Sequence, residues 1–294
     1  MTGRLGAGLP AVRRARPGLA LALLSLSLCV PLGPTAAQGL GGLQSGDQPL
    51  EINAEDGIEW RRDEQLYIAR GNAEAIRGEI TVYADVMTAH YKKTGGGSTD
   101  IDRIDIEGNV RIVSPSATVY GDRGAYDVIN GVLVLVGDNL RLESGDDLVT
   151  ARDSLEYWER KHMAVARGAA QATREDKRIQ ADVLTAYFKP DAGSDAGESL
   201  KISRVDAYGN VSIFTATEFA SGDRGVYYMD REFATLTGSV KITRDNNQLN
   251  GEYAEIDMKA GVSRLLPGPP GSTTTTRVRG LLMPKRKPKT DEGS

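Results

Sequence analysis

The chain contains very little cysteine and histidine, the residues from which thiol sites and zinc-type metal sites are made. Its 294 residues include one cysteine, Cys29, and two histidines, His90 and His162. Because Cys29 lies in an N-terminal apolar segment, the rest of the chain has no thiol for a disulfide or a nucleophile. The histidines occupy unrelated stretches, and neither has a nearby Cys or second His to complete a metal set. We therefore expect no metal and no cofactor.

Catalytic motifs are also missing. The sequence has no Ser nucleophile elbow, no phosphate loop and no nucleophile with a partner base. Asp122 and Asp223 recur at matching positions of an internal repeat, and this favours a structural role because a catalytic dyad would rarely be copied in every unit. Asp146, Asp147 and Asp153 lack the Asp-x-Asp-x-Asp-Gly order of calcium loops. The sequence predicts no catalytic residues and a protein that is not an enzyme.

No apolar run is long enough to span a bilayer comfortably, which needs about 20 residues. The N-terminus instead has the order of a secretory signal peptide: basic Arg13, Arg14 and Arg16, apolar Leu19 to Val30, and small Pro34 to Ala37. This order predicts residues 1–37 as a signal peptide cleaved after Ala37, and export to the periplasm. Two alternatives stay open: an uncleaved anchor, and lipidation at Cys29, which the bulky Leu28 before it disfavours.

Excess positive charge is absent as well. Removing the signal's four Arg from the 36 Lys and Arg leaves 32 basic against 40 acidic residues, a net charge of about −8, so nucleic acid is not an expected partner. Residues 38–48 are predicted to be a linker. Residues 268–294 are rich in Pro, Gly and Thr and contain six Lys and Arg, which predicts a disordered basic tail. The tail is either a solvated terminus or a contact with anionic lipid headgroups or a partner.

What the chain does contain is an internal repeat. Gly108-Asn109-Val110 is followed thirteen positions later by Gly121-Asp122-Arg123-Gly124, and Gly209-Asn210-Val211 precedes Gly222-Asp223-Arg224-Gly225 by the same interval. A finer period pairs each turn glycine with a small residue thirteen or fourteen positions on. The glycines are Gly71, Gly108, Gly137, Gly168, Gly209 and Gly238, and their partners are Ala84, Gly121, Ala151, Ala181, Gly222 and Gly251. This spacing predicts an array of one supersecondary unit in two copies, about 49–147 and 148–267, with inserted loops at 94–100 and 191–198.

Side-chain alternation identifies the units as strands. In ITVYADV, the residues Ile80, Val82, Ala84 and Val86 share one face, and strict parity adds His90 to it. NVRIV, NLRLE, NVSIF and SVKIT alternate in the same way. Gly-Asn and Gly-Asp supply positive φ angles, so we interpret them as tight hairpin turns between short strands. Sustained helical periodicity is absent, and the predicted fold is all-β.

Three segments carry a family resemblance: QPLEINAEDGIEW (48–60), ARGNAEAIRGEITVYADVMTAHY (69–91) and IDIEGNVRI (104–112). Together they resemble the OstA-like family of periplasmic lipopolysaccharide-transport bridge proteins, over roughly residues 49–258. The resemblance implies a β-jellyroll of stacked V-shaped antiparallel layers, open at both ends, whose apolar interior holds lipopolysaccharide acyl chains. It also implies a role in outer-membrane biogenesis of Gram-negative bacteria, carrying lipopolysaccharide from the inner to the outer membrane.

Under this resemblance the alternating apolar faces would form the lipid-binding groove. Its expected residues are Ile80, Val82, Ala84, Val86, Val110, Ile112, Val119, Leu140, Leu142, Ile179, Val211, Ile213, Val240 and Ile242. Expected partners are lipopolysaccharide, other jellyroll proteins of the transport system at both membranes, and further copies of this chain stacked head to tail. The docking edges would be residues 50–54 and 252–258. One continuous structure is favoured, because only the short turn SGDD separates the copies. The alternative is a structural or adhesive β-solenoid with a solid core and no lipid.

Overall fold

The computed structural model describes residues 50–93, 99–190, 200–257, 259–260, 262–273 and 277–283. The predicted signal peptide, the 38–48 linker and most of both inserted loops lie outside these residues. The described strands are β1 Glu51–Asn53, β2 Gly57–Arg61, β3 Leu66–Arg77, β4 Ile80–Lys93, β5 Thr99–Val113, β6 Thr118–Asp127, β7 Val132–Val136, β8 Arg141–Ser144, β9 Asp147–Thr150, β10 Ser154–Trp158, β11 Met163–Arg174, β12 Lys177–Pro190, β13 Leu200–Phe214, β14 Glu218–Tyr228, β15 Phe233–Arg244, β16 Asn247–Asp257, β17 Val262–Leu266 and β18 Arg279–Leu281. The helical elements of the described chain are two 3-10 turns, Glu159–Lys161 and Met229–Arg231. The predicted all-β fold is confirmed.

All 18 strands belong to one antiparallel sheet. Ten strands are long, and each carries a register shift near its middle, as between Arg70 and Ala73 in β3 or Tyr208 and Val211 in β13. Such β-bulges bend a strand and increase its twist. Each long strand therefore has two arms. Arm 1 contains the short strands β1, β8, β9 and β18 and the halves of the long strands on the same side of the bend. Arm 2 contains the short strands β2, β7, β10 and β17 and the other halves of the long strands.

The bend contains a paired glycine and aspartate. Gly108 has φ +80° and the following Asn109 has φ +50°. A Cβ built on Gly108 would lie 2.1 Å from an Asp85 carboxylate oxygen of the neighbouring strand, and the Asn109 Nδ2 donates to the same carboxylate at 3.0 and 3.2 Å. Only glycine satisfies both the left-handed backbone and this close approach. The Asp carboxylate therefore accepts hydrogen bonds at the point where the bulge interrupts the backbone hydrogen bonding between the two strands.

This geometry corrects the interpretation of the glycines as hairpin turns. Their positive φ values are as predicted, but five of the six lie at bulges inside strands, and Gly137 lies between β7 and β8. The hairpins occur at other places, for example between Arg77 and Ile80, between Arg174 and Lys177, and between Arg244 and Asn247. Sequence alone confuses the two because a bulge and a tight turn both require left-handed backbone.

The sheet continues without interruption through the junction between the two copies. Strands β7 and β8 together form one bent layer, and β10 and β9 form the next, with β7 paired to β10 and β8 to β9. Strand β11 then pairs with both β10 and β9. Ten long strands and four such composite layers give fourteen layers in the described chain, all antiparallel.

The C-terminal end differs from expectation. The segment 252–258 was predicted as a free docking edge, but the arm 2 part of β16 pairs with β17 and its arm 1 part pairs with β18. Strand β18 lies inside the region predicted to be a disordered tail. The last described layer is therefore β17 with β18, joined across a Pro- and Gly-rich segment that takes the place of a bulge.

Apolar side chains fill the space between the arms. The buried cluster draws residues from both arms, including Ile112, Val110 and Val211 in arm 1 and Leu135 and Leu236 in arm 2, all at most 2% exposed. The bend is lined by small residues: Ala73 faces Ala84, and Ala170 faces Ala181. Small side chains allow the two arms to approach at the bend, so the apolar interior widens away from it.

Candidate functional site: the apolar interior between the arms

A cavity lies between the arms in the first copy. It measures about 90 Å³, and its walls come from Ile80, Val82 and Ile112 of arm 1 and from Ile104 and Leu133 of arm 2, among others. A second space of about 30 Å³ adjoins it towards the N-terminal edge, beside Ile58 and Tyr67. The lining of both spaces is almost wholly apolar. Such a site accepts hydrocarbon and offers no set of groups for catalysis.

Most of the predicted groove residues face this interior. Eight are buried in the apolar cluster: Ile80, Ala84, Val110, Ile112, Val119, Leu140, Val211 and Val240. Five are partly buried against it: Val82, Leu142, Ile179, Ile213 and Ile242. The structure thus brings thirteen of the fourteen onto one continuous apolar surface. Lipid contact by these residues stays a prediction.

Val86 is the exception, because the bulge changes the alternation. Ala84 is buried, Asp85 and Val86 both lie outside the apolar cluster, and the next buried side chain is Met87. His90 is displaced in the same way: its Nε2 lies 2.9 Å from an Asp105 carboxylate oxygen rather than in the apolar interior. Strict parity was therefore wrong beyond the bend of β4.

The same shift explains the wall residues that the sequence analysis missed. Besides Leu50, Ala75 and Arg77, these lie on arm 2: Met87, Ile101, Ile104, Ile106, Tyr126, Val128 and Leu133. The sequence does contain a signal for these residues, in the spacing of inward-facing positions across the bend. In strands that carry the small-residue-then-Asp motif, the inward positions are three apart across the bend, as in Ala84 to Met87 and Ala181 to Leu184. In Gly-Asn strands they are four apart, as in Ile106 to Val110.

Buried phenols lie at the arm 2 margin of the interior. The Tyr126 hydroxyl donates to Glu159 Oε2 at 3.1 Å, and the Tyr157 ring packs edge-on against Phe188. Burial, with the nearby Glu159 carboxylate, raises the pKa of Tyr157 to about 12 and that of Tyr126 further. Both phenols stay neutral at ordinary pH, so the negative charge at this margin is that of the Glu159 carboxylate and not of a phenolate.

The interior of the second copy is more open. Equivalent positions are 97 residues apart through β4 and 101 residues apart from β5 onward. Ile112, Val119, Tyr126 and Leu133 are 1 to 6% exposed. Their equivalents Ile213, Ala220, Tyr227 and Ala234 are all only partly buried. The apolar surface thus continues into the second copy, where fewer side-chain atoms cover it and part of it is exposed to solvent.

The described residues contain no group of three or more His, Cys, Asp or Glu side chains placed to hold a metal ion. No helix within the described ranges is long and apolar enough to cross a membrane. The feature that stands out is therefore the apolar interior of a bent, repetitive sheet.

The comparisons with known proteins agree with this geometry. The chain matches the family described as "LptA/(LptD N-terminal domain) LPS transport protein" over residues 51–153 and again over 148–262. It belongs to this family. The OstA-like resemblance is thereby confirmed, as is a transport role rather than an enzymatic one, because the family is one of lipopolysaccharide (LPS) transport proteins.

The chain is also similar to two individual proteins. The "Uncharacterized protein R00383" of Rhizobium meliloti (strain 1021) is 33% identical over 145 residues, which cover 47% of this chain and 77% of that protein. The crystal structure of LptH, described as the LptA-homologous periplasmic component of the lipopolysaccharide transport device of Pseudomonas aeruginosa, aligns at 13% identity with a TM-score of 0.21. That alignment covers 81% of this chain and 96% of LptH.

Proposed function

We propose that this LPS transport family member carries lipopolysaccharide by holding its acyl chains in the apolar interior between the arms. The observation that carries the proposal is the continuous apolar interior between the arms, which contains a cavity in the first copy and is only partly covered in the second. Each methylene removed from water contributes about 0.8 kcal/mol, so a long apolar interior binds a hydrocarbon chain strongly without charged contacts.

The size of the cavity indicates where a chain would lie. About 90 Å³ is smaller than the apolar cavity of about 150 Å³ that holds a single benzene, and is therefore less than an acyl chain needs. The first copy would have to separate its arms to admit more. The second copy already exposes part of Ile179, Ile213 and Ile242 to solvent, so we place the acyl chains chiefly there.

We further propose that the protein works in the periplasm as one unit of a bridge. The support is the signal-like order of residues 1–37, the family match and the description of LptH as a periplasmic component. At about 4.8 Å per strand, fourteen layers extend for roughly 60 Å, so a longer path would require stacked units.

The polarity of the layers supports head-to-tail stacking. The first layer runs from arm 1 to arm 2 through β1 and β2, and the last runs from arm 2 to arm 1 through β17 and β18. Placing the first layer of one copy on the last layer of another therefore keeps the antiparallel alternation. Stacking directly on β16 would make that pair parallel. The expected docking edges are thus β1 with β2 at one end and β17 with β18 at the other, for a second copy or a jellyroll protein at either membrane.

The competing function is a structural or adhesive array with a solid core, which the dense burial in the first copy favours. Lipid extraction from the purified protein followed by mass spectrometry separates the two. We expect co-purified lipopolysaccharide, reduced at least tenfold in Ile213→Asp, because an unpaired charge would face the apolar path.

Ser212→Asp is the matched control, since it adds the same charge to the same strand on its outer side. Thermal melting of both variants separates lost binding from lost folding. A well-folded Ile213→Asp protein that retains its lipid, or a wild type without lipid, would contradict the proposal.

A further inference from the structure

The two copies differ at the opening between their arms. On arm 1, the last inward-facing side chains before the hairpin turns line one side of this opening. The buried Ile80 of the first copy corresponds to Lys177 in the second, and Ala117 corresponds to Glu218. Each lies two positions from an interior side chain of its own strand, as Lys177 does from Ile179, so the pleat directs them to the same face. The copy with the less covered interior therefore has a charged opening.

A charged rim lines the arm 1 side of the second copy's opening. Its members are Asp147, Arg174, Lys177, Glu218 and Arg244. Arg174 Nε and Nη2 both donate to the carboxylate of Asp147, the cross-strand partner of Arg174. Arg244 Nε lies 3.4 Å from Glu218 Oε1, again on the paired strand. Within the part of the chain that the structure describes, Lys177 is the rim residue with no opposite charge at ion-pairing distance.

The surroundings of Lys177 favour an anion. Its direct cross-strand neighbour is Arg174, and like charges opposite each other destabilise a sheet. The acids of the intervening turn, Glu175 and Asp176, are exposed to solvent, whereas Arg174 and Lys177 are partly buried. Asp147 occupies two of the five N–H donors of the Arg174 guanidinium, so three remain for a further acceptor. A group with several anionic oxygens would accept from both cations and remove their repulsion.

We propose that Lys177 and Arg174 bind the phosphate of a lipid headgroup at the opening of the second copy. The inference rests on the proposed acyl-chain path in that copy and adds the chemical group that would be held at its mouth. Two residue steps along β12, about 7 Å, separate Lys177 from Ile179. A chain attached to a phosphate at Lys177 would therefore pass over Ile179 toward the bend, while the headgroup stays in water.

The facing side of the opening is unsuited to an anion. On arm 2, burial and the nearby Glu232 carboxylate raise the pKa of the Tyr227 phenol, so the charge on this side is negative. The cross-strand pair Phe188 and Ile202 is uncharged. An anionic headgroup is therefore attracted to arm 1, where a cation is uncompensated, and repelled from arm 2.

Two lipids that differ only in phosphate test the proposal: palmitoyl lysophosphatidic acid and monopalmitoylglycerol. Filter binding of each radiolabelled lipid to the delipidated full chain measures the affinity. We expect the wild type to prefer the phosphate-bearing lipid, by a margin that shrinks as salt rises. Lys177→Gln should weaken lysophosphatidic acid binding about tenfold, since one charge-assisted hydrogen bond is lost, and leave monopalmitoylglycerol binding unchanged. Lys177→Arg should keep the preference.

Lys241→Gln is the matched control, because Lys241 is an exposed cation on the outer side of arm 1 in the same copy and its loss should change neither affinity. Circular dichroism melting checks that each variant is folded. Equal wild-type affinity for the two lipids, or a preference that survives in Lys177→Gln, would overturn the headgroup site and leave the acyl-chain path standing. Inorganic phosphate binding as tightly as lysophosphatidic acid would show a site for free phosphate and also overturn it. If the wild type binds neither lipid, the acyl-chain path is wrong and the headgroup site falls with it.

Discussion

The two copies of the repeat share the same bend and differ in what fills the space between the arms. At the bend, a Cβ on Gly108 or Gly209 would lie 2.1 or 2.2 Å from the carboxylate of Asp85 or Asp182. Between the arms, four residues that are buried in the first copy, Ile112, Val119, Tyr126 and Leu133, have only partly buried equivalents in the second. The repeat thus preserves the backbone geometry and leaves the interior free to vary.

Side-chain size explains the difference. Ile106 and Leu133 in the first copy correspond to Ala207 and Ala234 in the second, and Val119 corresponds to Ala220. Fewer atoms then occupy the interior of the second copy. The comparison indicates a packed half that stabilises the fold and an open half that receives the ligand.

The largest difference between the copies should appear on truncating an interior isoleucine. Ile112 is 1% exposed, so Ile112→Ala should lower the free energy of unfolding by about 2–5 kcal/mol. Its half-buried equivalent loses less contact, and Ile213→Ala should cost about 1–2 kcal/mol. Urea denaturation of both variants measures this, and equal costs would remove the distinction between a packed and an open copy.

At the bend, by contrast, the two copies should respond alike. Gly108→Ala and Gly209→Ala should each lower the free energy of unfolding by about 2–3 kcal/mol, because the backbone is left-handed and Cβ meets the Asp carboxylate. Gly145→Ala is the control for backbone strain alone, since Gly145 has φ +55° and no neighbour within 4 Å. Its cost should be about 1 kcal/mol by the same denaturation measurement. Costs at the bend no larger than that of the control would show that the Asp contact does not matter.

Replacing small interior residues of the second copy by their larger equivalents from the first copy should raise the free energy of unfolding and weaken lipopolysaccharide binding. Ala207→Ile/Ala234→Leu introduces the residues found at positions 106 and 133, and we expect a gain of about 1–2 kcal/mol in unfolding free energy. Lipopolysaccharide co-purification should fall at the same time. A more stable variant with undiminished lipid would place the ligand outside the second copy.

The smallest expected effect concerns two matched glutamates. Burial alone would raise the pKa of Glu156, but hydrogen bonds from Arg167, Trp158 and Ser154 hold it below its ordinary value. Glu156→Gln should therefore cost about 1 kcal/mol at pH 7. Because the folded-state pKa is lowered, that difference is present above about pH 4.5 and disappears as pH falls through the folded-state value.

The equivalent Glu59 is exposed and pairs with Arg61 in solvent, so Glu59→Gln should leave the stability unchanged. Denaturation of both variants from pH 7 to pH 3 checks the pair. A Glu156→Gln difference that persists unchanged at pH 3 would contradict the assigned cause.

The sequence was sufficient for the strands, for the repeat and for most of the apolar surface, because alternation and spacing are local. It was insufficient at the bends: the same left-handed Gly-Asn that marks a tight turn also marks a bulge, and the bulge moved Val86 and His90 off the interior face. The occupied edge of β16 could not be foreseen either. Strand β18 follows a Pro- and Gly-rich segment and carries too few residues to show alternation.

The most direct test of a lipid path inside the second copy is site-specific photo-crosslinking in cells. A photoreactive residue at Ile213 should capture lipopolysaccharide, one at the outward Ser212 should not, and one at the packed Ile112 should capture much less than Ile213. Equal capture at Ile213 and Ser212, or capture at neither, would contradict an acyl-chain path between the arms.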